Sequence, residues 1–216
     1  MCYKSIKRGL DFIFSLLLII ILSPVFLILY IFVRIFSGSP VFFSQKRVGR
    51  DTHLFNMYKF RSMVNNALEF EKKGKNKKNL ITPVGKFMRK LNLDELPQSL
   101  CILKGDMSFI GFRAPSIDKS EGKIIKEVKR DPLWQDIVSS RPGLTGLGSA
   151  LHYLNPKKVS KILKKHNIDA KQNNLIDVLN VFYSRNPSFI LDLKIIYWTI
   201  LVELRGITLL FKKNKK

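Results

Sequence analysis

From Phe12 to Val33 the chain runs 22 residues without a charge. As one helix the run would measure about 33 Å, enough to cross the core of a bilayer. Ser23-Pro24 interrupts it. A proline inside a helix removes one hydrogen bond and crowds the carbonyl four residues back, here Ile20. It also disfavours helical geometry at Ser23. In lipid the released backbone groups need new partners, and the Ser23 hydroxyl is one. The pattern therefore predicts helix, break, helix. The segment reads as retained, because Ile31-Phe32-Val33-Arg34 is too bulky for a signal-cleavage site.

Beyond Ser37-Gly38-Ser39-Pro40, a turn cluster, the periodicity shortens. Val41-Phe42-Phe43 reads as an extended run. Tyr58-Lys59-Phe60-Arg61-Ser62-Met63 alternates, so a strand there puts Lys59 and Arg61 on one face. Residues 65–80 are rich in Asn, Lys and Glu without a period, and read as an exposed mobile loop.

Helical signals then return. Thr82-Pro83 predicts an N-cap and first-turn proline, with Val84, Phe87, Met88 and Leu91 on one face. Asp94 reads as the N-cap of a second helix that runs through Leu100, Ile102 and Leu103 and stops at Gly105. Residues 117–136 read as one charged amphipathic helix. Residues 152–180 show helical spacing around Val159, Ile162 and Leu163. In 188–211, Leu191, Ile195, Trp198 and Val202 form a stripe. Asp192, Lys194, Glu203 and Arg205 exclude a second span there. This last region suits the interfacial plane, with Tyr197 and Trp198 at headgroup depth. The chain reads as mainly α with a few short strands.

Charge narrows the function. The 216 residues include 38 Lys+Arg and 16 Asp+Glu, a formal net charge of +22. With 46% hydrophobic residues, the chain is neither a disordered tail nor an ordinary soluble enzyme. Its partners are polyanions: nucleic acid, or an anionic membrane and phosphate-bearing substrates. Lys4, Lys7 and Arg8 precede the uncharged run; Arg34, Lys46, Arg47 and Arg50 follow it. A spanning helix would place one basic end outside, whereas a hairpin re-entering the same face satisfies both. The charge argument favours the hairpin over a kinked span. Lys212, Lys213, Lys215 and Lys216 suit an anionic leaflet. Cys2 and Cys101 offer no disulfide framework or metal spacing, and His53, His152 and His166 read as solvated.

The candidate chemistry is spread along the chain. Asp94-Glu95 is an acid pair just after Arg89 and Lys90. Taken alone it reads first as a helix cap with a first-turn acid, a very common pattern, and second as a nucleophilic carboxylate beside one that holds Mg²⁺ next to a phosphate. Gly105-Asp106-Met107-Ser108-Phe109-Ile110-Gly111-Phe112-Arg113 and Arg141-Pro142-Gly143-Leu144-Thr145-Gly146 are glycine-punctuated segments with an arginine, able to meet a phosphate. Either reads also as a turn with a short strand.

In their order, these segments resemble the bacterial sugar transferase family, the monotopic phosphoglycosyl transferases that act on polyprenyl phosphate. The resemblance covers nearly the whole chain. It runs from Lys7-Arg8-Gly9-Leu10-Asp11-Phe12 through Ser23-Pro24, Gln45-Lys46-Arg47-Val48-Gly49 and Tyr58–Met63. It continues through Val84–Lys90, Leu93-Asp94-Glu95-Leu96-Pro97-Gln98 and Lys104–Ser108 to Arg141–Gly146 and Leu191-Asp192-Leu193-Lys194.

The resemblance implies transfer of a sugar-1-phosphate from a nucleotide diphosphate sugar, usually a UDP-sugar, to undecaprenyl phosphate, releasing UMP. It implies Asp94 as nucleophile, forming a covalent phosphosugar, and Glu95 as Mg²⁺ holder or proton-transfer group, with Asp94 also near the metal. Lys59, Arg89, Arg113 and Arg141 would bind phosphates. Ser23 and Pro24 would break a re-entrant anchor over residues 1–36. Residues 37–216 would form an α+β catalytic domain on the cytoplasmic face of the inner membrane, with a C-terminal interfacial region. Downstream glycosyltransferases would use the product, a homodimer is compatible, and nucleic acid recedes as a partner.

The chain departs from the family pattern at Phe112 and Ala114, at Leu147-Gly148-Ser149-Ala150, and at Asn180. These departures leave a second reading, a non-catalytic membrane-anchored relative that binds lipid phosphate or partners an active transferase.

Overall fold

The computed structural model describes residues 3–74, 76–117, 121–152, 164 and 174–213. They are mainly helical with a few short strands, an α+β composition. Residues Val159, Ile162, Leu163, Lys215 and Lys216 lie outside the described residues. The chain divides into two compact units. One comprises Phe12–Lys46 and Asn56–Lys104; the other comprises Met1–Asp11, Arg47–Phe55 and Gly105–Lys216.

α1 (Tyr3–Ile21) and α2 (Ser23–Ser37) meet at a 61° bend. The break falls at Leu22, one residue before the expected place. As expected, the Ser23 hydroxyl donates to the Ile20 carbonyl at 2.8 Å, the group that Pro24 leaves without a backbone donor. No single helix among the described residues is long and apolar enough to cross a membrane, although this bent pair meets that test jointly. Many of its apolar side chains, among them Phe14, Ile21, Leu27 and Ile35, are exposed.

The first unit packs Leu29 and Val33 of α2 against Val41, Phe60 and Met88. Met88 lies on α4 (Pro83–Lys90), capped by Thr82, whose Oγ1 accepts from Gly85 N at 3.0 Å. Of the predicted α4 face, Met88 is buried and Val84 half-buried, but Phe87 and Leu91 are exposed. The buried edge is set instead by Met88 and Gly85, where the helix backbone meets Ser62. Residues 65–80, read as a loop, contain a short helix α3 (Ala67–Lys72) and a 3-10 turn, Lys77–Leu80. Ala67 and Leu80 are buried, so tertiary packing organises a stretch that lacks a period of its own.

β1 (Phe42–Val48) and β2 (Leu54–Phe60) pair as a two-stranded sheet. β2 stops at Phe60, so Arg61 is not on a strand face with Lys59. Arg61 is buried, and its guanidinium donates to the Ser37 carbonyl and to Asn65 Oδ1.

The second unit contains β3 (Ser108–Ile110) and β4 (Gly143–Thr145), paired in parallel. Around them lie α6 (Glu121–Arg130), α7 (Pro132–Val138), α8 (Leu147–His152), α9 (Leu175–Arg185) and α10 (Phe189–Lys213). α5 (Gln98–Lys104) ends the first unit. The expected single helix over 117–136 is two helices. Asp131 caps the second by accepting from Leu133 N, and Pro132 occupies its first turn. One core joins Ile110, Leu147, Leu151, Leu179, Tyr183 and Ile195, with Leu191, Trp198 and Val202 against it. The predicted α10 stripe therefore faces inward, while Tyr197, Ile190 and Leu204 are exposed.

Candidate active site

Asp94 sits in a 3-10 turn, Leu93–Glu95, rather than at a helix N-cap. Asn92, with φ of 53°, turns the chain before Asp94 is reached, and α5 starts four residues later at Gln98. Its Gly105 stop is as expected, with φ of 97°. Asp94 thus lacks the first-turn helix potential that its place in the sequence suggested. It is 7% exposed, and burial is the first influence on its carboxyl, pushing the pKa upward. Lys59 opposes that push, the Glu95 charge adds to it, and Arg89 opposes it further.

The two cations reach the acids from different elements. Lys59, at the end of β2, donates from Nζ to Glu95 Oε1 at 2.5 Å. Arg89, in the last turn of α4, donates from Nε to Ser62 Oγ at 2.8 Å. That contact depends on Gly85. A Cβ there would come within 2.0 Å of the Ser62 carbonyl oxygen, so only glycine lets α4 lie this close to the end of β2. Sequence reasoning placed Ser62 in a strand but gave it no role; its part in holding Arg89 needs the fold.

Four expected site residues, Lys59, Arg89, Asp94 and Glu95, therefore gather in the first unit. The pair offers hard oxygen ligands, and Mg²⁺ is commonly held by one or two carboxylates plus substrate phosphates. Among the described residues no group of three or more His, Cys, Asp or Glu side chains could form a complete protein cage. The Asp94-Glu95 donor set fits a cation that shares its coordination with substrate, and a buried carboxylate gains from that charge.

Arg113 and Arg141 belong to the second unit. Arg113 is exposed, directly after the buried Phe112. Arg141 is half-buried and donates from Nε to the Gly105 carbonyl at 2.9 Å. Burial first, then the neighbouring Arg50 and Arg8 charges, lower its pKa; Asp11 and Asp51 act the other way. Lys4, Lys7, Asp11, Arg50 and Arg141 wall a cavity in this unit. Sequence reading gave Lys4, Lys7, Asp11 and Arg50 no part in a site.

The departures from the family pattern are core positions. Phe112 is 1% exposed and meets Trp134 edge-on, with centroids 6.5 Å apart. The buried Ala114 gives its carbonyl to Arg47 Nη1 at 2.7 Å. Leu147 and Ala150 join the core around Ile110. Asn180 is buried on α9, and a Cβ at Gly148 of α8 would meet its Oδ1 at 2.9 Å. These residues fill space inside the second unit.

Comparison with known proteins finds a match to the bacterial sugar transferase family over residues 2–206. The UDP-N-acetylgalactosamine-undecaprenyl-phosphate N-acetylgalactosaminephosphotransferase of Aeromonas hydrophila is 33% identical over 212 residues, covering 94% of this chain and 45% of its own length. The exopolysaccharide production protein PSS of Rhizobium leguminosarum bv. phaseoli is 31% identical, covering 92% of this chain and 95% of its own length. The undecaprenyl-phosphate galactose phosphotransferase of Salmonella typhimurium is 37% identical over 161 residues, 67% of this chain and 32% of that protein. The chain thus spans less than half of the first and third relatives and nearly all of the second.

Proposed function

The chain belongs to the bacterial sugar transferase family, and from that premise we propose that it transfers a sugar-1-phosphate from a UDP-sugar to undecaprenyl phosphate. The named relatives support the lipid acceptor and the sugar-phosphate cargo. The observation that carries the reading is the cluster of Asp94, Glu95, Lys59 and Arg89.

In this reading an Asp94 carboxylate oxygen attacks the β-phosphorus of the donor. The bond between that phosphorus and the bridging oxygen breaks, and UMP leaves with the bridging oxygen. Asp94 then carries the phosphosugar as an acyl phosphate. A phosphate oxygen of the lipid attacks the same phosphorus, the bond to Asp94 breaks, and the polyprenyl diphosphate sugar departs. Splitting the transfer in two lets the nucleotide leave before the second anion enters. Burial suits Asp94 to this role, because a poorly hydrated carboxylate with a raised pKa is a better nucleophile.

Glu95, with Asp94, would hold Mg²⁺, which when bound neutralises phosphate charge. Lys59 orients Glu95 through the 2.5 Å ion pair. Arg89, steadied by Ser62, faces the charge that develops on the transferred group. Arg113 and Arg141 are assigned to substrate phosphates in the same reading. The bent α1–α2 pair serves as a re-entrant anchor over residues 1–36, holding a 37–216 catalytic domain at the cytoplasmic leaflet of the inner membrane. Exposed apolar side chains on both helices support that placement. The departures at Phe112, Ala114, Leu147, Ala150 and Asn180 are accommodated as packing, which favours turnover over the non-catalytic alternative.

The test is UMP release from a panel of UDP-sugars by the full chain with undecaprenyl phosphate and Mg²⁺. One donor should give sustained release and a radiolabelled phosphosugar on the protein when the lipid is withheld. Release that needs lipid and donor together, with no labelled protein under any condition, would overturn the covalent step.

A further inference from the structure

Within the first unit the chain just past β2 is fastened on both sides. Arg61 N donates to the Val41 carbonyl at 2.8 Å, Thr82 N to the Ser62 carbonyl at 3.1 Å, and Val64 N to the Leu80 carbonyl at 2.9 Å. The Arg61 side chain adds a further hold. Its guanidinium donates through Nη2 to the Ser37 carbonyl and through Nη1 to Asn65 Oδ1. Ser37 is the last residue of α2, so its carbonyl is one that the helix leaves without a donor of its own. The Ser37 hydroxyl in turn donates to Thr82 Oγ1 at 3.1 Å, and Thr82 caps α4. One arginine thus joins the end of the bent helix pair to the end of β2 and, through Ser37, to the start of α4.

An arginine is a costly residue for this place. Arg61 is 6% exposed, and its Nε–H has no partner among the described residues. Burial first, then the Arg34 charge, lowers its pKa. The two acceptors of the guanidinium are neutral groups. A methionine would fill a similar space without the desolvation penalty. What the guanidinium adds is geometry: a planar fork that holds two acceptors in a fixed relation.

That geometry sits between the two residues on which the dyad cations depend. Lys59, two residues earlier, pairs with Glu95 at 2.5 Å, and Ser62, one residue later, accepts from Arg89 Nε at 2.8 Å. We propose that Arg61 is a positioning residue for the transfer: by holding Ser37 and Asn65 it fixes the end of β2, and with it Lys59 on Glu95 and Ser62 on Arg89. Its effect on rate rests on the transferase reading; the fastening itself does not. A shift of the strand end by about 1 Å would misplace both cations, and misplacement of that size costs up to about 10²-fold.

The experiment uses the full chain in phosphatidylcholine nanodiscs, with UMP release and amide hydrogen exchange measured on the same preparations. Arg61→Met should lower kcat by about 10- to 100-fold, with KM for the donor within about twofold of wild type, since ground-state contacts with the donor remain. Arg61→Lys should recover part of that loss. Asn65 is exposed, so Asn65→Leu removes one acceptor while the fold is kept, whatever Arg61→Met does to stability. It should lower kcat in the same direction by less, and Asn65→Asp, which still accepts from the guanidinium, should recover the loss. In Asn65→Leu the amides of Arg61 and Thr82 should exchange faster, with α9 of the second unit unchanged. Wild-type kcat and exchange in Asn65→Leu would overturn the proposal. So would activity losses at Arg61 that only follow the folded fraction, with KM unmoved and no recovery by lysine. Failure of the transferase reading would register separately, as absent UMP release by wild type from every donor, with the faster exchange in Asn65→Leu still showing the fastening.

Discussion

The dyad cluster and the cationic cavity both draw acids and bases from several elements, but their charge balance differs. At the dyad, Lys59 and Arg89 match Asp94 and Glu95 one for one. The short ion pair goes to Glu95, and Asp94 stays buried with its pKa pushed up. At the cavity the lining cations Lys4, Lys7, Arg50 and Arg141 outnumber the one lining carboxylate, Asp11, and burial lowers the pKa of Arg141 while raising that of the Tyr183 phenol. A balanced cluster with one desolvated acid is arranged for a reaction that alters charge on that acid.

The sharpest way to break this contrast is Asp94→Asn. It should lower UMP release by at least about 10⁴-fold, as loss of a covalent nucleophile does. Retained turnover would make the dyad a binding cluster.

Lys59→Met comes next, with a loss of about 10²–10³-fold in kcat. Because Lys59 opposes the upward push on Asp94, its removal should also move the acid limb of the kcat/KM profile to higher pH. Arg89→Leu should move the limb the same way by less. A downward shift in either would show that the cations do not tune this acid.

On the cavity side, Tyr183→Phe tests how firmly the surrounding frame is held. Tyr183 Oη donates to Asp192 Oδ1 at 2.7 Å, while Tyr3 Oη and Lys7 Nζ donate to Oδ2 at 2.6 and 2.7 Å. Loss of one donor to this buried carboxylate should cost about 1–3 kcal/mol in urea unfolding, with little change in kcat.

The smallest effect concerns pH and stability. With its pKa raised on folding, Asp94 makes the protein less stable as pH rises from the ordinary carboxylate value through the raised one. Asp94→Asn should therefore melt a few degrees higher than wild type at neutral pH. The gap should close below about pH 4, where both folded and unfolded Asp94 are protonated. A gap independent of pH would assign the effect to packing.

Features governed by adjacent residues were legible in the sequence. Thr82 capping α4 and the Ser23 hydroxyl reaching Ile20 are decided within four residues. The stripe of α10 follows from spacing, but its direction does not: Trp198, expected at headgroup depth, packs against the core with Leu191 and Val202. The break at Asp131-Pro132 carried a local signal that the charge pattern over 117–136 obscured. Residues 65–80 gave no such signal, because Ala67 and Leu80 are ordered by what packs on them. The Asp94-Glu95 pair was visible as chemistry, but the Lys59–Glu95 pair joins positions 36 apart. The cavity gathers Lys4, Arg50, Arg141 and Tyr183, separations that no spacing rule covers.

The close approach of Gly85 to Ser62 bears on how inactivating substitutions should be read. Gly85 is buried and has no side chain to offer a substrate, yet a single methyl there would force α4 away from Ser62 and take Arg89 with it. In a library selected for turnover, this position should be depleted alongside Asp94, though less completely. The two would be told apart by dose: smaller side chains at Gly85 should retain partial activity, whereas every replacement of Asp94 fails alike.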